Sequence, residues 1–257
     1  MRSKRLRYRF ANRHYAYGRW PTGLPLMPSQ LSPQISQINL YDCCLYAGLS
    51  RPSKTRRTTG ISHAAYRKLA KEQSEQIAKN SYHNQAHIAQ VIIAAGLLAD
   101  HAKITQTERD LLLFAALIHD YGHRGRWRNK SAYWQELQSF ASAMRKSVRL
   151  GFDVRLLLPL HQMIMATSPM APDDRADIKG NDILSLLLDA DLFASLFLPK
   201  KQVDQLTAKL KFEDRLAAPC QEMRAHFISV CEARGLASLA GQMLHERLSP
   251  SQTYFRS

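Results

Sequence analysis

Acidic residues are almost absent from the first 71 positions, where Asp42 is the single carboxylate against 14 Lys and Arg. The formal charge of +15 therefore belongs to the N-terminal stretch, because the other 186 residues hold 22 bases and 20 acids. This excludes a uniformly basic body and confines any attraction for polyanions to one end of the chain. Cysteine is scarce as well, at 43, 44, 220 and 231. Neither spacing matches a zinc ribbon and adjacent Cys43 and Cys44 are poorly placed to pair, so free thiols in a reducing cytoplasm are expected. No apolar run reaches the ~18 residues of a membrane span, and the N-terminus lacks the apolar segment of a secretory signal. Glycine-rich phosphate loops, internal repeats and convincing strand alternation are also missing, which removes nucleotide-binding P-loop, solenoid and β architectures.

With 257 residues, 45% of them apolar, the chain can bury one large core, with or without an appendage. Residues 1–60 read as a basic, poorly structured or extended arm. Bases alternate with aromatics from Arg2 to Phe10, prolines follow at 21, 25, 28 and 33, and Arg51, Lys54, Arg56 and Arg57 close the segment. Residues 1–57 would suit nucleic acid or an anionic surface; an organellar targeting segment, a solvated tail and a start codon set too far upstream are the other readings.

Helical periodicity begins near residue 61 and continues to the end, so residues 61–257 are expected to form an all-α domain. Tyr66, Leu69, Ala70, Gln73 and Ile77 share one face of a first helix over 63–78. A second runs from Asn84 to Ala99, and a third opens at Thr107 with Asp110 as a capping-box variant. The body of the third, Leu111 to Ile118, is apolar all round and therefore central, ending at Gly122. Lys130 to Val148 is expected to turn Tyr133, Trp134, Leu137, Phe140 and Ala141 inward. Val154 to Ala166 should be kinked by Pro159, and Ile183 to Phe197 should stop at Pro199.

Ionisable residues sit where these helices should be driest. His83 and His87 lie four apart at the start of the second, His119, Asp120 and His123 end the third, and Asp189 and Asp191 interrupt the apolar run of a later one. A buried carboxylate or imidazole is costly unless it is paired or metal-bound. Three such segments together point to one site for divalent cations, for which neutral His and ionised Asp are a suitable donor set. Residues 189 and 191 are about 200° apart around a helix, so only one can face that site.

These motifs resemble those of the HD-domain metal-dependent phosphohydrolases. His119-Asp120 is the doublet that names the family. Tyr82-His83-Asn84-x-x-His87 and His119-Asp120-x-x-His123-x-Gly125 are similar to the class I cyclic-nucleotide phosphodiesterase form, as are Ala190-Asp191-Leu192 and, with Ser168 in place of Asp, Ala166-Thr167-Ser168. The resemblance covers roughly residues 80–198 and implies an HD-type helical bundle. It also implies that His87, His119, Asp120 and Asp191 hold a first metal, with Asp120 bridging to a second whose water shell His123 supports. Mn, Mg, Fe or Zn would suit that set. A metal-activated hydroxide would attack phosphorus while His83 protonates the leaving oxygen as general acid. Asp191 is the distal ligand on this match, and Asp189 is the alternative.

The implied activity is hydrolysis of a phosphodiester or phosphomonoester in a small, nucleotide-like molecule by a cytoplasmic enzyme. The 66 residues after Asp191 look short for a cyclic-nucleotide base pocket, and Gln221 and Gln242 lack the context to be assigned to one. Arg124, Arg126, Arg128 and Lys130 would either attract an anionic substrate or form a solvated loop. His161 would line the pocket or serve as an ordinary core or surface residue, and Tyr82 and Asn84 would orient the histidines. The competing reading is a non-catalytic helical module with a structural metal site and a nucleic-acid-binding arm, which leaves no role for His83.

Overall fold

The computed structural model describes residues 39–50, 60–77, 79–123, 133–168, 183–196, 208–213 and 236–248. All regular structure among them is helical: α1 Leu40–Tyr46, α2 His63–Gln76, α3 Gln85–Ala102, α4 Gln106–Ile118, α5 Trp134–Ser147, α6 Leu157–Ala166, α7 Ile183–Leu196 and α8 Leu239–Leu248, with a short helical segment at 208–213. None of these helices is long and apolar enough to cross a membrane.

Helices α3, α4 and α7 pack on one another at the centre. Their apolar composition requires this, since α4 is buried from Arg109 to Ile118 and α3 buries Ile88, Val91, Ile92, Ala95 and Leu98. Helices α1 and α8 lie against α3, α2 against α1, α4 and α5, and α6 against α4, α5 and α7.

Local signals set the helix starts. Asn84 accepts hydrogen bonds from the Ala86 and His87 amides and caps α3. The α4 cap is Thr105, not Thr107: Thr105 and Glu108 form a reciprocal capping box, a better match than Thr107 with Asp110. Asp110 is instead buried, accepting from the Ser50 amide and hydroxyl and from Gln106.

Three expectations need correction. Helix α1 falls inside the stretch expected to be extended. Leu40, Cys43, Cys44 and Ala47 follow helical spacing and are buried against the core, so residues 39–50 belong to the helical body; the rest of the expected arm, 1–38 and 51–59, lies outside the described residues. Pro159 does not kink a longer helix, because a 3-10 turn at Val154–Leu156 precedes α6 and leaves the proline in its first turn, where no amide is missed. The inward face of α5 carries Glu136, Ser139, Ala143 and Met144, while Trp134, Leu137 and Ala141 are exposed. Cys43 and Cys44 are free thiols, and burial pushes Cys43 up to about 12. Cys220 and Cys231 lie outside the described residues.

Candidate metal centre

The site lies where the central helices meet. His87 is in the first turn of α3, His119 caps the C-terminus of α4, Asp120 follows it, and Asp191 projects from the middle of α7. Their donor atoms converge. His87 Nε2 and His119 Nε2 are 3.3 Å apart. Asp120 Oδ2 lies 3.3 Å from the first and 3.2 Å from the second. Asp191 Oδ1 lies 3.5 and 3.6 Å from them. Ligands held ~2.1 Å from a common cation are about 3.0–3.4 Å apart in octahedral or tetrahedral geometry. The cluster therefore has the dimensions of a coordination shell.

The tautomer of His119 favours the same conclusion. Its Nδ1–H donates to the Ala116 carbonyl at 2.9 Å, which turns the Nε2 lone pair toward the cluster. Two imidazole nitrogens 3.3 Å apart beside two carboxylates can share a proton or hold a cation between them. Burial disfavours charge on His119, but Asp120 and then Asp191 outweigh it and carry the imidazole up to about 9. Burial likewise raises Asp120, and His119 and His83 reverse that, holding its carboxyl well below the usual range. The same negative field could hold a metal cation in place of the proton.

A second trio, His83, Asp120 and His123, adjoins His87, His119 and Asp191, because Asp120 Oδ2 also lies against His87 and His119. His83 is not on the helix, as its spacing from His87 suggested. It lies in the turn before α3, just ahead of the Asn84 cap. Its ring stacks on His123 with centroids 3.9 Å apart and meets the His87 ring edge-on at 5.7 Å. Asn80 donates to the carbonyls of both His83 and His123, tying the two turns together. The Tyr82 ring lies 5.3 Å from that of His87. Burial, and then the neighbouring His83, lower the pKa of His123 and keep it a neutral imidazole at pH 7.

Two acids missed in the sequence complete the site. Glu213, in the 208–213 segment, accepts from His83 Nδ1–H at 2.5 Å and from the amides of Tyr82 and His83 at 2.6 and 3.1 Å. Burial raises this carboxyl, but the bonds from His83 and the two amides hold it below its ordinary value. Nothing in the local sequence marks Glu213, since its partners lie 130 residues away. Glu136 is buried on α5, accepts from the Ser168 hydroxyl, and is raised by burial with Asp120 and Asp191 adding to the effect. A polar residue on the wrong side of an apolar stripe was the available signal. Ser168, itself buried, thus binds a carboxylate where the resembled motif supplies one.

Asp189 does not join the cluster. It is fully buried on the other side of α7, accepting from the Ala237 and Ser238 amides at 2.7 and 2.9 Å and from the Ser238 hydroxyl at 2.5 Å. It thereby fixes the start of α8, where Ser238 caps the Gly241 amide. His161 packs edge-on against Phe140 at 5.0 Å. Gln242 is exposed and donates to the Leu236 carbonyl. Arg124, Arg126, Arg128, Lys130 and Gln221 lie outside the described residues. No protein-family model matches the chain, and no curated protein matches it.

Proposed function

We propose that this protein is an HD-type, metal-dependent phosphohydrolase cleaving a phosphodiester or phosphomonoester in a nucleotide-like molecule. The observation that carries the reading is the convergence of His87, His119, Asp120 and Asp191 beside a histidine braced by a buried carboxylate. The donor set fits Mn, Mg, Fe or Zn; His87, His119, Asp120 and Asp191 would hold one ion, and Asp120 would also serve a second. Bound divalent cations supply an activated water and offset charge on the phosphoryl oxygens.

The protein's own groups do the rest. Glu213 takes the Nδ1–H of His83, which fixes the tautomer of the ring and leaves Nε2 as the atom that would carry a proton to the leaving oxygen. His123 lies beside Asp120 and would orient water there, while buried Glu136 interacts electrostatically with Asp120 and Asp191. A purely structural metal site would need neither the His83–Glu213 pair nor a second trio.

Elemental analysis of wild type against Asp120→Ala tests this. Wild type should carry one or two transition-metal ions per chain and the variant almost none. Release of phosphate or nucleoside monophosphate from a phosphoester panel should then follow the metal content. A wild-type protein that stays empty after loading with Mn or Zn would overturn the assignment.

A further inference from the structure

Helix α2 contributes no donor to the metal centre, yet two consecutive side chains on it grip the turn that carries Asp120. Gln73 is fully buried. Its Nε2 donates to the Asp120 carbonyl at 2.9 Å, and its Oε1 accepts from the Gly122 amide at 3.0 Å. One amide therefore brackets Asp120-Tyr121-Gly122 by its main chain on both sides. The Asp120 carbonyl also accepts from the His123 amide at 3.1 Å, so the same oxygen links Gln73 to the His123 turn. Gly122 has φ 72°, and a Cβ there would lie 3.1 Å from Gln76 on the same helix. Beside Gln73, Glu72 accepts from the Tyr121 hydroxyl at 2.6 Å and from Lys146 of α5 at 2.5 Å.

We infer that Gln73 is a positioning residue for the metal centre, setting the direction of the Asp120 carboxylate through its double main-chain bond to the Asp120–Gly122 turn. A backbone turn just past a helix end has few restraints of its own, and Asp120 must reach two imidazoles at once. Only a group with a donor and an acceptor on one planar head can hold both ends of this turn. Gln is such a group. Ionised Glu lacks the donor and Leu lacks both.

The inference rests on the metal-centre reading, and its test separates the two. Co(II) binding is measured by its visible absorption and by calorimetry for wild type, Gln73→Leu, Gln73→Glu and Gly96→Ala. Both Gln73 variants should bind Co(II) 10- to 100-fold more weakly, with an altered visible spectrum. Gln73→Glu keeps the size and the acceptor for Gly122, so it remains informative if Gln73→Leu does not fold. Gly96→Ala is the control for destabilisation alone, since its Cβ would meet Ala47 atoms at 2.6 Å, away from the site; it should melt lower and bind Co(II) as wild type does. Wild-type affinity in the folded Gln73 variants, or an equal loss in Gly96→Ala, would overturn the positioning role alone. A wild-type protein without Co(II) affinity would overturn the metal centre and this role with it.

Discussion

His83 has its Nδ1–H committed to Glu213, so any part it plays in turnover must pass through Nε2. Replacing it with alanine should lower kcat by roughly 10²–10⁴-fold on an alkyl phosphoester and by much less on a 4-nitrophenyl ester, whose leaving group needs no proton. Metal content should stay at the wild-type level. Steady-state kinetics on the two esters, with elemental analysis of the same samples, check both halves. A drop in metal content would make His83 a ligand of the second trio instead. The residues that carry the centre were legible because each breaks an apolar run. His87, His119, Asp120, His123 and Asp191 are all ionisable groups in or beside buried helices. The choice of Asp191 over Asp189 rested on likeness and on helical geometry alone. In the structure Asp191 lies in the cluster, whereas Asp189 accepts hydrogen bonds from Ala237 and Ser238 at the start of α8. Glu213 was not legible, because its role exists only once the chain has folded it against Tyr82 and His83.

At the scale of elements, α2 is an amphipathic helix whose polar edge works as hard as its apolar face. Glu72 accepts from Tyr121 and Lys146 and pairs with Lys68 at 2.9 Å. Partial burial raises its carboxyl, and the bonds from Lys146, Tyr121 and Lys68 outweigh that and bring it down to about 2. A depressed carboxylate contributes stability that is complete above its unfolded value and lost as pH falls toward its folded value. Glu72→Gln should therefore unfold more easily than wild type at pH 7, by on the order of 1–2 kcal/mol given that Lys146 is partly exposed. The gap should close between pH 4.5 and about 2. Urea unfolding of both proteins across that range reads it; a gap that persisted at pH 2 would remove Glu72 as its source. Periodicity located α2, α3 and α4 well, because their stripes are uniform. It misjudged α5, whose apolar Trp134, Leu137 and Ala141 face outward while Glu136 and Ser139 turn in. A buried acid near two other carboxylates defeats a rule that sends apolar residues to the core. Helix α1 was overlooked for a related reason, as seven residues bearing two cysteines resemble a loop until the Asn39 cap is noticed. Any truncation that asks whether the basic arm matters must stop at residue 38, since removing α1 would uncover Leu40, Cys43 and Cys44 from the core.

For the whole molecule, the centre joins elements that are far apart in sequence. His87 and Asp191 are 104 positions apart, on helices whose mutual packing forms the middle of the body. A cation bound by α3, the end of α4 and α7 therefore cross-links the core, and its binding energy adds to folding, because the unfolded chain cannot assemble the four donors. A metal present at 100 times its dissociation constant should add ~2.7 kcal/mol, which for a helical body of this size raises Tm by roughly 5–10 °C. The increment should grow with the logarithm of metal concentration and vanish on addition of a chelator. Asp191→Asn should remove most of it while leaving a folded protein, since Asp191 is partly exposed and its neighbour Asp189 still secures α8. Differential scanning calorimetry with Mn(II) titrated into wild type and variant measures this directly. If both proteins gained the same increment, the ion would be binding elsewhere. If wild type gained none, the carboxylates and imidazoles between α3, α4 and α7 would be only a proton-sharing cluster in the core.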